Sequence, residues 1–229
     1  MATWFVTGAS RGIGLGICKG LLAKGEVVIG SCRNPDGARD LWELASDFKT
    51  HFRTVALDVS DADNVARLAK EFAKERIDVL VNNAGVLKGD GDGLATLKLA
   101  DLTKSFEVNS IAPLRVTQAL LPALKRSDMA KIVNITSKMG SITDNNSGGY
   151  YAYRMSKAAL NMFNRSLAAE FPEMVALVLH PGWVQTQMGG ENAPVDVYAS
   201  AEGLIQVILK SKLGDSGSFM DYTGVHIPW

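Results

Sequence analysis

Tyr153 and Lys157 stand four residues apart in a segment of helical period, a spacing that projects both side chains from one helix face. A free phenol titrates at about 10, and a neighbouring ammonium favours its phenolate, so such a pair can bring a tyrosine toward proton donation or abstraction at working pH. The rival tyrosines, Tyr150 and Tyr151, have Arg154 and Met155 at the same offset. Ser137 follows the apolar run Ile-Val-Asn-Ile-Thr, where a hydroxyl either meets a ligand at a strand's carboxyl end or caps a turn. Asn109 sits in a helical stretch although asparagine is a poor helix former, and Pro113 removes the donor four residues on. A local kink is expected there, with Asn109 either serving chemistry or merely accompanying the bend.

A second group of residues suits an anion. Thr7-Gly8-Ala9-Ser10-Arg11-Gly12-Ile13-Gly14 joins an expected first strand to a first helix. Glycines there let backbone approach a phosphate at the positive end of the helix, or serve close packing. Asn82-Asn83-Ala84-Gly85 follows the fourth expected strand, where its amides either brace the sheet or line the ligand. Asp58, just after the third, either accepts from an adenine amino group or caps the next turn. His180 is read as structural.

These residues need a scaffold, and the pattern predicts one. Strands are expected at 3–7, 26–32, 52–57, 77–81, 131–136, 174–180 and 217–222. Helices are expected at 13–24, 37–48, 61–74, 99–124, 151–171 and 200–210, with Asp61 or Ser60 capping the third. Runs such as Val-Val-Ile-Gly and Ala-Leu-Val-Leu are apolar at every position, as strands covered on both faces must be. Alternating β and α units with right-handed crossovers predict an α/β fold: one domain over 1–229, a doubly wound Rossmann-type parallel sheet of about seven strands with helices on both faces. Ligands then belong outside the strands' carboxyl ends.

Composition narrows the function. The 229 residues carry 24 Lys plus Arg against 24 Asp plus Glu, and no basic run, which argues against nucleic acid as a partner. Two cysteines, Cys18 and Cys32, make neither a disulfide framework nor a zinc spacing. The opening Met-Ala-Thr-Trp-Phe-Val-Thr-Gly reads as a strand rather than a signal peptide, and no apolar run is long enough to span a membrane, so a reducing cytoplasm is expected. The polar loops 88–93 and 144–149 are candidates to rim a site. The first has a superficial calcium-loop look but lacks the closing glutamate, and no metal is expected.

In this order and spacing the residues closely resemble the short-chain dehydrogenase/reductase family, from Thr7 to about Thr186. The shared pattern is Thr-Gly-x-x-x-Gly-x-Gly, Asn-Asn-Ala-Gly, and a catalytic Asn109, Ser137, Tyr153 and Lys157. The segments Tyr-Tyr-Ala-Tyr-Arg-Met-Ser-Lys, His-Pro-Gly-Trp-Val-Gln-Thr and the final Ile-Pro-Trp are similar to those of the C-factor and sniffer-type carbonyl reductases within it. Two departures are noted. Tyr153 stands sixteen positions after Ser137, a little more than is common, and Gln187 stands where an acidic residue is frequent.

The resemblance implies an oxidoreductase that reduces a carbonyl with a nicotinamide cofactor. Tyr153 would protonate the carbonyl oxygen. Lys157 would bind the nicotinamide ribose and lower the phenol's pKa, Ser137 would hold the carbonyl oxygen, and Asn109 would hold a water relaying protons to Lys157. Cofactor contacts are implied at Gly8, Ser10, Arg11, Gly12, Ile13, Gly14, Arg33, Asp58, Val59, Asn83, Ala84 and Gly85, at Tyr153 and Lys157, and at Pro181, Gly182, Val184 and Thr186.

After the second strand, NAD-preferring folds place a carboxylate, whereas this chain has Ser31-Cys32-Arg33. Arg33 and Arg11 then grip a 2′-phosphate, which selects NADP(H), unless both are simply solvated surface arginines. The segment 187–197 takes the place of the substrate lid and holds few bulky apolar groups. A shallow site for aromatic aldehydes, diketones or quinones is expected. A homo-oligomer through the helices around Asn109 and Tyr153 is also expected, with Trp229 docked on a neighbour or on its own sheet. The competing reading is a nucleotide-binding sensor with little turnover.

Overall fold

The computed structural model describes residues 1–89 and 93–229. Its strands are β1 (Thr3–Thr7), β2 (Val27–Cys32), β3 (Phe52–Ala56), β4 (Val79–Asn82), β5 (Lys131–Ile135), β6 (Val175–His180) and β7 (Phe219–Asp221). They form one seven-stranded sheet in the order β3-β2-β1-β4-β5-β6-β7, every pairing parallel.

Side chains alternate faces along each strand, and both faces are apolar. Trp4, Val6, Val133, Ile135, Leu177 and Leu179 pack on one side with Ile17 and Leu21 of α1 (Gly12–Ala23), Leu41 of α2 (Arg39–Asp47) and Leu204 of α7 (Val197–Lys210). Phe5, Ile29, Leu80, Ile132 and Ala176 face the other way. There they meet Leu68 of α3 (Ala62–Glu71), Leu120 of α5 (Ala112–Leu124) and Leu167 of α6 (Tyr151–Glu170). The expected doubly wound architecture is observed.

Element ends coincide with the expected ones or differ by up to three residues. Asp61 caps α3 as expected, accepting from Asp63 N at 2.8 Å and Asn64 N at 3.0 Å. Helix α7 starts three residues early because Asp196, unread as a cap, accepts from Ala199 N at 2.8 Å. The expected helix over 99–124 is broken into α4 (Leu99–Phe106), a π turn at Glu107–Ile111, and α5. Asn109 lies inside that turn. Pro113 has no N–H to return to it, so the chain takes a wider turn where the kink was expected. The loop 88–93 reaches, at 90–92, outside the described residues.

Two buried polar devices tie the layers. Asn82 Nδ2 donates to Thr117 Oγ1 (3.1 Å) and Asn134 Oδ1 (2.9 Å), Asn134 Nδ2 to Asn164 Oδ1 (2.9 Å), and Asn164 Nδ2 to the Ala176 carbonyl (3.2 Å). Asn82 therefore braces the central strands. Lys131, 8% exposed, donates to the carbonyls of Ile208 at 2.6 Å and Ser211 at 2.9 Å, supplying partners to the end of α7. Lys131→Met leaves the Ser211 carbonyl without that donor and the Ile208 carbonyl with the Ser211 hydroxyl (2.7 Å) in its place. We expect it to cost about 1–3 kcal/mol, read as a lower denaturant midpoint at unchanged slope.

Past β7 the chain turns at Asp221 and runs back along it, with Ile227 N donating to the Phe219 carbonyl (2.8 Å) and an antiparallel bridge between Met220 and His226. The Trp229 ring lies 5.5 Å from that of Phe219. Of the two docking places expected for Trp229, the structure shows its own sheet.

Candidate active site

Chain order reverses between β1 and β4, so the loops leaving their carboxyl ends diverge and open a crevice. One of these loops is the glycine turn. Gly8 and Gly12 have φ of 66° and 54°, in the left-handed region that glycine enters without strain. Gly14 is buried, and a Cβ there would collide with the Gly8 carbonyl. Arg11 enters α1 in extended conformation with no side-chain cap, and the first turn has no acidic residue. The amides and positive dipole of α1 are thus left for an external anion. This fits the pyrophosphate of a dinucleotide.

The other loop holds the turn in place. Thr7 Oγ1 accepts from Asn83 N (2.9 Å) and Ala84 N (3.0 Å), while Asn83 Nδ2 donates to the carbonyls of Thr7 (2.9 Å) and Gly8 (3.2 Å). The Asn83 amide nitrogen is therefore a brace, and Thr7 is a clasp that the reading of the residues did not single out. Its signal was a hydroxyl at the end of a strand immediately before a glycine.

Around the crevice, Ser10 and Ala84 are half-buried, and Ile13 packs into the core. Asp58 spends one oxygen on Ser60, accepting from its N (2.9 Å) and Oγ (2.7 Å), which is the capping role. Burial pushes its carboxyl up, but the Ser60 bonds and the charges of Arg33 and Lys104 outweigh it and hold the pKa below the usual value. Val59 packs against the core beside it. Arg11 and Arg33 are exposed, and among the described residues neither makes an ion pair.

At the far end, Thr186 stands over Gly12, where a Cβ would touch its methyl at 3.3 Å. The Thr186 hydroxyl donates to the Val184 carbonyl (3.3 Å) and accepts from Gly189 N (3.0 Å). The Pro181 carbonyl accepts from Ser200 Oγ at 2.7 Å, and Gly182, at φ 87°, makes room for Tyr222. The segment 187–197 folds back so that Val195 pairs with the buried Val184. Trp183 is exposed, its indole N–H fixed to the Gly189 carbonyl at 2.7 Å.

Between these lie the four residues of interest. Ser137 follows β5, where its hydroxyl accepts from Met139 N (3.1 Å) and caps the short turn Lys138–Gly140, and it lies near enough to the Tyr153 phenol to lower that group's pKa. Lys157 is buried, donates to the Ile135 carbonyl (2.8 Å), and holds its Nζ 5.7 Å from the centre of the Tyr153 ring. Gly85 leaves room where two of the group meet; a Cβ there would lie 3.3 Å from Asn109 Oδ1 and 3.6 Å from Lys157 Nζ.

Burial pushes the Tyr153 phenol up to about 12, with the Ser137 hydroxyl pulling down. Removal of the half-buried ring from water dominates, and the ammonium faces Ile135. Burial likewise pushes Lys157 down to about 8. The side chain of Asn109 is bound to two neighbours. Its Oδ1 accepts from Val86 N (2.8 Å), and its Nδ2 donates to the Val86 carbonyl (2.9 Å) and Ser156 Oγ (3.0 Å). The Asn109 main-chain carbonyl loses its fourth-residue donor to Pro113.

Ser156 was also missed. Its hydroxyl donates to the Tyr153 carbonyl (2.8 Å), and its own carbonyl accepts from Ser110 Oγ (2.6 Å), linking the π turn to α6. His180 lies at the end of β6, half-buried, and burial pushes it down to about 4, with Lys138 adding to this and Asp221 opposing. It is neutral at working pH, consistent with a structural role.

The assembled site pairs an anion-receptive helix end with a half-buried Tyr153 and the buried Lys157 and Ser137 at one crevice, an arrangement suited to proton transfer beside a bound dinucleotide. A family model described as short chain dehydrogenase matches residues 2–195. The C-signal protein of Myxococcus xanthus is 46% identical over 155 residues, which span 67% of this chain and 93% of that one. Among solved structures, the carbonyl reductase Sniffer of D. melanogaster superposes with a TM-score of 0.94 at 32% identity, covering 100% of both chains. An NADPH-bound carbonyl reductase from chicken fatty liver gives 0.93 at 35% identity, covering 100% of this chain and 99% of the other.

Proposed function

The chain belongs to the short chain dehydrogenase family, and on that premise we propose that it is an NADPH-dependent reductase of small carbonyl compounds, with aromatic aldehydes, diketones or quinones as the substrate class. The observation that carries this is the meeting of Tyr153, Ser137 and Lys157 beside a crevice whose glycine turn leaves the α1 amides open. The NADPH-bound structural neighbour supports the cofactor.

The residues suited to hold the cofactor are the turn from Gly8 to Gly14 for its pyrophosphate, Arg11 and Arg33 for a 2′-phosphate, and Asp58 with Val59 at the adenine. Asn83 to Gly85, Lys157, Pro181, Gly182, Val184 and Thr186 line the nicotinamide half. When bound, the cofactor supplies the hydride. The protein does the rest. Ser137 Oγ holds the carbonyl oxygen, and Tyr153, protonated because burial keeps its pKa high, gives that oxygen its proton. Lys157 then restores the phenol's proton, drawing on water held at the Asn109 carbonyl.

A second reading, a nucleotide-binding signalling protein with little turnover, is favoured only by the likeness to C-signal. NADPH oxidation by the purified protein against aldehydes, diketones and quinones separates the two. Turnover that requires NADPH supports the reductase; tight NADPH binding without turnover on any carbonyl transfers the case to the signalling protein.

Assembly enters at the same helices. Leu99, Ile111, Leu114, Met155 and Met162 expose apolar surface on α4, the π turn, α5 and α6, which supports a homo-oligomer through this face. Light scattering at micromolar concentration is expected to give a multiple of the chain mass, and a monomer mass would refute it. Among the described residues no helix is long and apolar enough to cross a membrane. Two buried free thiols, Cys18 and Cys32, support a place in a reducing cytoplasm.

A further inference from the structure

The residues between the two reacting hydroxyls, 138–152, are longer than the resemblance led us to expect, and their middle is held from outside. Ser141, 2% exposed, donates its hydroxyl to the Pro228 carbonyl (2.6 Å) and accepts from Asp144 N (3.1 Å), so both its capacities are used. Thr143 N donates to the Trp229 carbonyl at 2.9 Å. The segment 227–229 is itself seated on β7, through Ile227 N to the Phe219 carbonyl and the Trp229 ring against the buried Phe219 ring.

Further along, the same loop has few anchors. Arg154 of α6 reaches back to Ser147 Oγ (2.9 Å), and Lys138 pairs with Asp144 across partly solvated surface (3.3 Å). The chain then passes Gly148, Gly149 and Tyr150, all left-handed at φ 63°, 65° and 51°. Tyr150 there has an L side chain in a conformation that costs free energy, so the loop depends on its outside contacts to stay in place. Nearer Ser137 the turn is anchored independently: Gly140 packs on the Lys157 backbone, and its carbonyl accepts from Asn161 Nδ2 (3.2 Å).

We propose that Trp229, acting with Pro228 through Ser141 and Thr143, is a specificity-determining positioning residue: it straps the loop between Ser137 and Tyr153 into a fixed wall for the larger carbonyl substrates. The strap grips the loop beyond the Ser137 turn, and that turn has its own hold on α6. Loosening the strap therefore frees the wall and leaves the reacting hydroxyls in place. Substrates that reach the wall lose contacts, and those that do not are untouched.

The inference rests on the reductase reading, and two kinds of readout keep their failures apart. In the chain without cofactor, Trp229→Ala is expected to speed hydrogen exchange at the Thr143 and Asp144 amides by about tenfold, with exchange in the β-sheet unchanged. With NADPH saturating, the same variant is expected to raise KM for benzil by about tenfold, and to leave kcat, and both constants for propanal, within about twofold. Trp229→Phe restores the wild-type values, because a ring still seats on Phe219. Ser141→Ala cuts the hydrogen bond without removing the ring and reproduces the Trp229→Ala pattern, which covers the case of a poorly folding Trp229→Ala. Unchanged exchange at Thr143 overturns the strap. Equal losses on benzil and propanal overturn the specificity role. A wild type that turns over neither carbonyl overturns the reductase reading instead, while the exchange experiment still decides the strap.

Discussion

Tyr153→Phe is expected to lower kcat/KM for carbonyl reduction by about 1,000-fold, within the range a positioned proton donor contributes, while NADPH binds within about twofold of wild type. The change removes one oxygen and keeps the ring that packs beside Lys157, so the fold and the crevice are preserved. The pH dependence follows from the two burial shifts. With its phenol at about 12, Tyr153 stays protonated and able to donate throughout the working range. Lys157, at about 8, is charged below that pH and loses its proton above it, and with it the supply of protons to Tyr153. The kcat/KM for reduction is therefore expected to be level below about 8 and to fall above it. Near-normal turnover in Tyr153→Phe would show that another group donates the proton.

The second large effect concerns which dinucleotide is accepted. Wild-type protein is expected to bind NADPH much more tightly than NADH, and Arg33→Ala to narrow that gap by about 10- to 100-fold, the range for losing a charge-assisted contact to phosphate. Arg33 follows β2 at the edge of the crevice, exposed and outside any ion pair among the described residues, so its guanidinium is available to a ligand. Asp58 acts on Arg33 through its charge but makes no ion pair with it, and gives one oxygen to Ser60. Arg11→Ala is expected to act in the same direction, since Arg11 is exposed at the start of α1. Titration of the protein with each dinucleotide measures both; equal affinities in the wild type would refute the 2′-phosphate role of these arginines.

The parts of the molecule that were readable in advance are those decided by near neighbours along the chain. Strands buried on both faces announce themselves as unbroken apolar runs, and the turn at Gly8, Gly12 and Gly14 by a local need for left-handed or uncrowded backbone. The bend at Asn109 was legible because Pro113 removes a donor four residues away, although a π turn rather than a simple kink was formed. Helix α7 was misjudged by three residues because Asp196 as a cap looks, in sequence, like any loop aspartate.

By itself, then, the sequence determined the doubly wound sheet, the placing of the glycine turn at its first crossover, and the pairing of Tyr153 with Lys157 on one helix face, since each follows from spacing within a single element. Only the tertiary structure decided how the polar groups of the site are shared out. Asn109 gives its side chain to Val86 and Ser156, 23 and 47 residues away. Thr7 clasps amides 76 and 77 residues on. Trp229 seats on its own sheet and holds Thr143. Burial pushes the Tyr153 phenol up and the Lys157 ammonium down, which their spacing alone does not convey. The physical reason is common to all four: a hydrogen bond saturates its partners, and desolvation counts every atom that excludes water, so both depend on groups that only folding brings together.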